Sequence, residues 1–143
     1  MRHLQVLYSV LHLQDKYRVR LNNTVSQIMK LDQTRRVIHE GVDLIAPKKG
    51  LIQVLEAAIE LIDLPDNDFA WSSWQSSDDA RSEIEGLISR IKSDDMPERL
   101  DVSVLFAPTG PLQEVSLSSG WADAFLKVAE RFDSLERKIW TNG

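Results

Sequence analysis

The sequence predicts a mainly α chain: a single globular domain over residues 1–143, built as a bundle of four to six helices, with a place for one short β-hairpin near residues 101–117. Three observations predict it. Apolar side chains recur at steps of three and four along several segments, the spacing that lines one face of a helix. Apolar residues make up 43% of the 143 residues, with only six Gly and five Pro, enough to bury a core and too little punctuation for broad disorder. Residues that start and stop helices fall at the ends of the periodic segments.

The C-terminal helix is the clearest. Trp121, Phe125, Val128, Phe132, Leu135 and Ile139 follow one another at alternating steps of four and three. Ser118 or Ser119 is the expected N-cap, with Gly120 easing the start. Ala122, Leu126 and Ala129 widen the apolar stripe beyond a coiled-coil seam, so we read it as buried in a globular core. A second helix covers Asp78 to about Lys92, with Ala80, Ile84, Leu87, Ile88 and Ile91 inward and Arg81, Glu85 and Arg90 outward. Ser76 and Ser77 precede it, and Asp78, Asp79 and Glu83 suit its positive end. Gly86 weakens it. A third helix runs from Leu51 to Leu64, between Gly50 and a stop at Pro65. It is apolar on most sides, which predicts a central position.

The first 46 residues predict two or three helices. Leu13, Tyr17, Leu21, Val25 and Ile28 share one face, Asn22-Asn23 marks a break, and Thr24 caps a fresh start. Leu31, Ile38, Val42 and Ile45 then share a face up to a stop before Pro47. Residues 98–117 stay open. "LDVSVLFAP" and "EVSL" alternate as a hairpin would, with Val102, Val104 and Phe106 on one face; a helix from Pro97 to near Phe106 is equally consistent. The turn "APTGPLQ" is expected to lay Leu105-Phe106 back against Leu117 and Trp121, with Gly110 at a positive φ.

Several chemistries are disfavoured by residue type. The turn lacks the consecutive N–H groups and the Lys of a phosphate-binding loop, because Pro108 and Pro111 have no N–H and Glu114 repels anions. Zero Cys removes disulfides and thiolate chemistry. His3, His12 and His39 stand apart from any partner at ligand spacing, and His39-Glu40 is expected at a surface. A calcium loop counted from Asp66 would need Gly where Trp71 stands. No nucleophile motif accompanies the serines, and pairs of carboxylates among 22 acids carry little weight. No cofactor and no metal are expected.

The apolar run "LQVLYSVLHL" is interrupted by Gln5 and His12, has no cleavage site after it, and is far short of a membrane span. The expected setting is cytoplasmic, away from membranes. Residues 1–50 carry nine Lys/Arg against four Asp/Glu, and residues 51–143 carry eight against eighteen. A basic helical segment, 1–46, thus joins an acidic helical core, 47–143, within a net charge of −5. We read the two as packing together rather than as a separate contact arm.

These features point to a non-catalytic protein-binding module, such as a small bacterial antagonist or immunity-type protein or a subunit of an assembly, with homodimerisation open. Its partner would present a basic surface. The candidate contact surface is the acidic, aromatic stretch Asp63, Asp66, Asp68, Trp71 and Trp74, provided the tryptophans are exposed and not part of the core. A second reading is nucleic-acid association through a helix-turn-helix with Asp32-Gln33 as its turn and Arg35 and Arg36 opening the second helix; the acidic pI near 5.2 opposes it. A third is an enzyme using a Ser or carboxylate site of unfamiliar arrangement.

Overall fold

The computed structural model describes residues 31–140; the expected helices, break and apolar run within residues 1–30 lie outside the described residues. Among the described residues there are six helices and no strand, so the chain is mainly α. They are α1 (Asp32–Glu40), α2 (Pro47–Ile62), α3 (Ser77–Lys92), α4 (Arg99–Phe106), α5 (Pro111–Ser119) and α6 (Ala122–Trp140). Their apolar faces meet in one core cluster.

Two helices organise the packing. α2 touches α1, α3 and α6, and α6 touches α1, α2, α4 and α5. The all-round apolar pattern of α2 is thus explained: Leu51, Val54, Leu55, Ala57, Ala58, Leu61 and Ile62 are all buried. Pro47 does not stop a helix; it opens α2 at N1, where its missing N–H is no loss. Gly50, expected ahead of the helix, lies buried within its first turn. A Cβ there would sit 2.4 Å from the Asp43 carbonyl oxygen and 2.6 Å from Leu135 Cδ2, so the loop and α6 approach α2 over a bare backbone.

α3 and α6 follow the expected faces. The Ser76 hydroxyl accepts the Asp79 N–H and caps α3. Phe125, Val128, Phe132 and Leu135 are buried on α6, whereas Ile139 is only partly so. Ser118 and Ser119 do not cap α6. They end α5, and Gly120, left-handed at φ 89°, terminates that helix. Trp121 then accepts the first bond of α6, from the Phe125 N–H at 3.0 Å.

Residues 101–117 are not a hairpin. α4 and α5 form instead, and the buried residues are Val102, Leu105 and Phe106, at helical spacing, with Val104 46% exposed. An isolated two-stranded hairpin has little to hold it. A helix lets Phe106 stack on Phe132, with ring centroids 4.6 Å apart and planes 16° from parallel. The turn also differs from expectation. Thr109 takes the positive φ, 64°, and Gly110 is extended at the N-cap of α5. Glycine is required there for close approach, since a Cβ would lie 2.4 Å from the Val104 carbonyl oxygen. Leu112 and Val115 turn inward and Trp121 joins the core with Leu105 and Phe106, while Leu117 stays 65% exposed.

α1 ends at Glu40, and Gly41 at φ 87° redirects the chain. The face counted through Leu31, Ile38 and Val42 therefore does not extend to Ile45, which is 98% exposed. Asp32-Gln33, expected as a turn, forms the first turn of α1; residues 24–30 of that reading lie outside the described residues.

Opposite effects follow at two helical glycines. Gly50→Ala should lower stability by about 1–3 kcal/mol through overpacking, although helix propensity alone favours Ala. Gly86→Ala, where a Cβ meets nothing within 4 Å, should raise it by about 0.5–1 kcal/mol. Urea unfolding of both variants checks the pair. A stabilised Gly50→Ala would contradict the close approach of α2 to the loop and α6.

Candidate functional site

The acidic, aromatic stretch closes the connection between α2 and α3. Asp63 pairs with Arg81, which also holds Asp78 at 3.2 Å. Asp68 accepts the Ala70 N–H at 2.9 Å, and its own N–H donates to the Ser119 hydroxyl, also at 2.9 Å. Asp66 is exposed in the left-handed region, φ 66°. Trp74 is buried at 4% exposure and donates its indole N–H to Glu83. Trp71 is 76% exposed. The five residues therefore divide: Asp63 and Trp74 are engaged within the protein, and Asp66, Asp68 and Trp71 face solvent. Asn67, whose place among these acids suits a helix stop with an Asx-type turn, ties the segment down. Its amide donates to the Leu61 and Ile62 carbonyls at the end of α2, and its carbonyl accepts the Trp121 indole N–H at 2.8 Å.

Among the described residues Arg35 and Arg36 do not join a basic stripe. Arg35 pairs with Asp32 at 3.4 Å. Arg36 lines an open cleft of about 610 Å³ between α1, α2 and α3, together with Glu56, Glu60, Glu85 and Lys92. Carboxylates outnumber cations there, which opposes a phosphate backbone. His39 is exposed, as expected for the His39-Glu40 pair.

The site the sequence reading missed lies between α4 and α6. It is a groove of about 540 Å³ with Phe106, Phe125 and Phe132 as its floor. Its walls expose Leu100 (74%), Val104 (46%) and Leu126 (44%). α4 presents these residues because Leu100 and Val104 lie four apart, opposite the inward face of Val102, Leu105 and Phe106. α6 presents Leu126 and Ala129 beside its buried stripe. Glu130, Asp133 and Glu136 rim the groove, one α-helical turn apart in sequence.

The three carboxylates differ in their surroundings. Glu136 accepts the Arg99 Nε–H at 3.0 Å, bridging α6 to α4. Glu130 faces Lys127 at 3.5 Å on its own helix. Partial desolvation beside the apolar wall holds the Asp133 carboxyl above the ordinary carboxylate range, and the like charges of Glu136 and Glu130 add to this while Arg137 opposes it. An apolar trough edged by acids, one of them energetically costly to charge, is chemically suited to greasy side chains accompanied by cations.

Among the described residues no group of three or more His, Asp or Glu is arranged to hold a metal ion, and no helix is long and apolar enough to cross a membrane. Comparisons with protein-family models, curated proteins and solved structures return no match to the chain.

Asp133→Asn checks the electrostatics of the rim. A carboxyl whose folded pKa lies above its unfolded value penalises the folded state above that unfolded value, and the penalty vanishes below it. The variant should therefore melt at or above the wild-type temperature at pH 7, with the difference closing as pH falls towards 3. Thermal melts across that range are the measurement. A variant less stable at pH 7 than at pH 3, relative to wild type, would mean that Arg137 outweighs desolvation.

Proposed function

We propose that the protein is a non-catalytic protein-binding module whose α4–α6 groove receives an amphipathic, basic helical segment of a partner protein. One observation carries this reading: exposed Leu100, Val104 and Leu126 line a trough with aromatic floor and carboxylate rim. Contiguous exposed apolar surface bounded by polar residues marks interaction sites on monomeric proteins. A helix laid in such a groove inserts residues spaced i, i+3 or i+4, and i+7, and its Lys or Arg side chains meet Glu130 and Asp133. An antagonist, an immunity-type protein or an assembly subunit in a cytoplasmic setting would each use a surface of this kind.

The groove is small, which sets the expected affinity. Burying three aliphatic side chains yields roughly 1.5–3 kcal/mol each at most, and association and helix ordering consume much of it. A dissociation constant of roughly 0.1–1 mM follows. Because the rim is solvent-exposed, the electrostatic share falls as salt rises.

The test uses a Leu/Lys amphipathic helical peptide of about four turns and the same peptide with every Lys replaced by Glu. Isothermal titration should show binding of the basic peptide and at least about a tenfold weaker interaction for the acidic one. Val104→Asp with Leu126→Asp should abolish binding without changing the helical circular-dichroism spectrum, because both side chains are already exposed. Equal affinity for the two peptides, or unchanged affinity in the double variant, would overturn the proposal.

A further inference from the structure

We infer that a second copy of this chain is one occupant of the α4–α6 groove, contributing the corner formed by residues 43–49. This rests on the groove reading above but seats in the groove a braced loop corner ending in the first turn of α2 in place of a helix. The corner carries the most exposed large apolar side chain among the described residues. Ile45 is 98% exposed and Leu44 41%, and both precede Lys48 and Lys49, which are exposed in the first turn of α2. An aliphatic tip followed by two cations is complementary to an aliphatic trough edged by Glu130, Asp133 and Glu136.

The tip is held ready for docking. The Asp43 carboxylate accepts the Ile45 N–H at 3.0 Å and the Ala46 N–H at 2.8 Å. The Asp43 N–H donates to Gln53 Oε1 at 2.9 Å, which ties the corner to α2. Pro47 fixes the next residue. A loop already braced in one conformation loses little freedom on binding. Nor does the corner's own ion pair compete strongly. Lys48 faces Asp94 at 3.7 Å with both side chains largely in water, an interaction worth little. Giving up Asp94 for the three carboxylates of the groove rim therefore costs the docked state little.

Corner and groove share no residue, so each copy carries both halves of the interface. The contact is heterologous: it grows into chains or closes into a ring or a reciprocal pair. This arrangement allows a decisive mixing experiment. Ile45→Asp removes the tip and keeps the groove. Val104→Asp with Leu126→Asp removes the groove and keeps the tip. Ile45→Asp cannot unfold the core through lost packing, because the side chain makes almost none.

Sedimentation equilibrium of the full chain should show wild-type weight-average mass rising above that of the monomer as concentration approaches the order of 1 mM, and falling again as salt is added. Each variant alone should remain monomeric, while an equimolar mixture should form one-to-one heterodimers. Lys48→Glu with Lys49→Glu should also remain monomeric. Wild type that stays monomeric throughout would overturn the inference, as would self-association undiminished by Ile45→Asp, in which case another segment such as residues 1–30 or a symmetric contact is responsible. Titrating the basic Leu/Lys peptide into Ile45→Asp separates the two claims: retained binding keeps the groove reading even where self-docking fails, and lost binding in a chain that still folds removes both.

Discussion

Two opposite charges grip the short helix α1 at its two ends. At the N-terminus the Glu60 carboxylate, from α2, accepts the Gln33 N–H at 3.0 Å, the Thr34 N–H at 2.7 Å and the Thr34 hydroxyl at 2.8 Å. At the C-terminus the Arg131 guanidinium, from α6, donates to the Val37 and Ile38 carbonyls at 3.0 Å each. An acid at the positive end and a base at the negative end both agree with the helix dipole; Glu60 satisfies N–H groups that a helix leaves without internal partners, and Arg131 reinforces a C-terminal turn whose Val37 carbonyl also accepts the Gly41 N–H. Nine residues are too few to stay helical unaided. Because Glu60 and Arg131 belong to different helices, fixing α1 also fixes α2 against α6.

The rest of the arrangement follows from that constraint. With α1 and α2 covering one side of α6, its aromatic residues Phe125 and Phe132 must be covered from the other side. α4 and α5 do this, with the Phe106–Phe132 stack as their point of attachment and the Arg99–Glu136 pair at their edge. But α4 has only eight residues against nineteen in α6. The shorter helix leaves part of the apolar flank of α6 in the open beside Leu126 and Ala129. The groove is thus the portion of a wide apolar stripe that a short helix leaves uncovered.

Much of the fold was legible because helical periodicity reports burial directly. The inner faces of α3 and α6, the central position of α2 and the Ser76 cap all follow from local sequence. The errors arose where periodicity was carried across a chain reversal, as from Val42 to Ile45, or where a short apolar run fits two periods, as in residues 101–106. Pro47 is ambiguous from sequence, since the same residue that stops one helix serves equally as the start of the next. The clamp on α1 was not legible, since Glu60 and Arg131 lie far from it in sequence and nothing local marks a carboxylate as a cap for another helix. For the site, the signal was present but assigned to the core. Leu126 and Ala129 were noticed as a surplus on α6, and the structure shows that part of this surplus faces solvent. The stretch Asp63 to Trp74 drew attention through its composition, yet Asn67, Asp63 and Trp74 spend their polar atoms holding the α2–α3 connection in place.

Amide chemical-shift mapping with the basic Leu/Lys peptide tests the central claim most directly, because it asks where a ligand sits rather than whether one binds. The account places the largest shifts on α4 around residues 100–107 and on α6 around residues 125–136, with residues 63–74 and the α1 surface bearing Arg35 and Arg36 unmoved. Shifts centred on Trp71 and the neighbouring acids, or on α1, would contradict it.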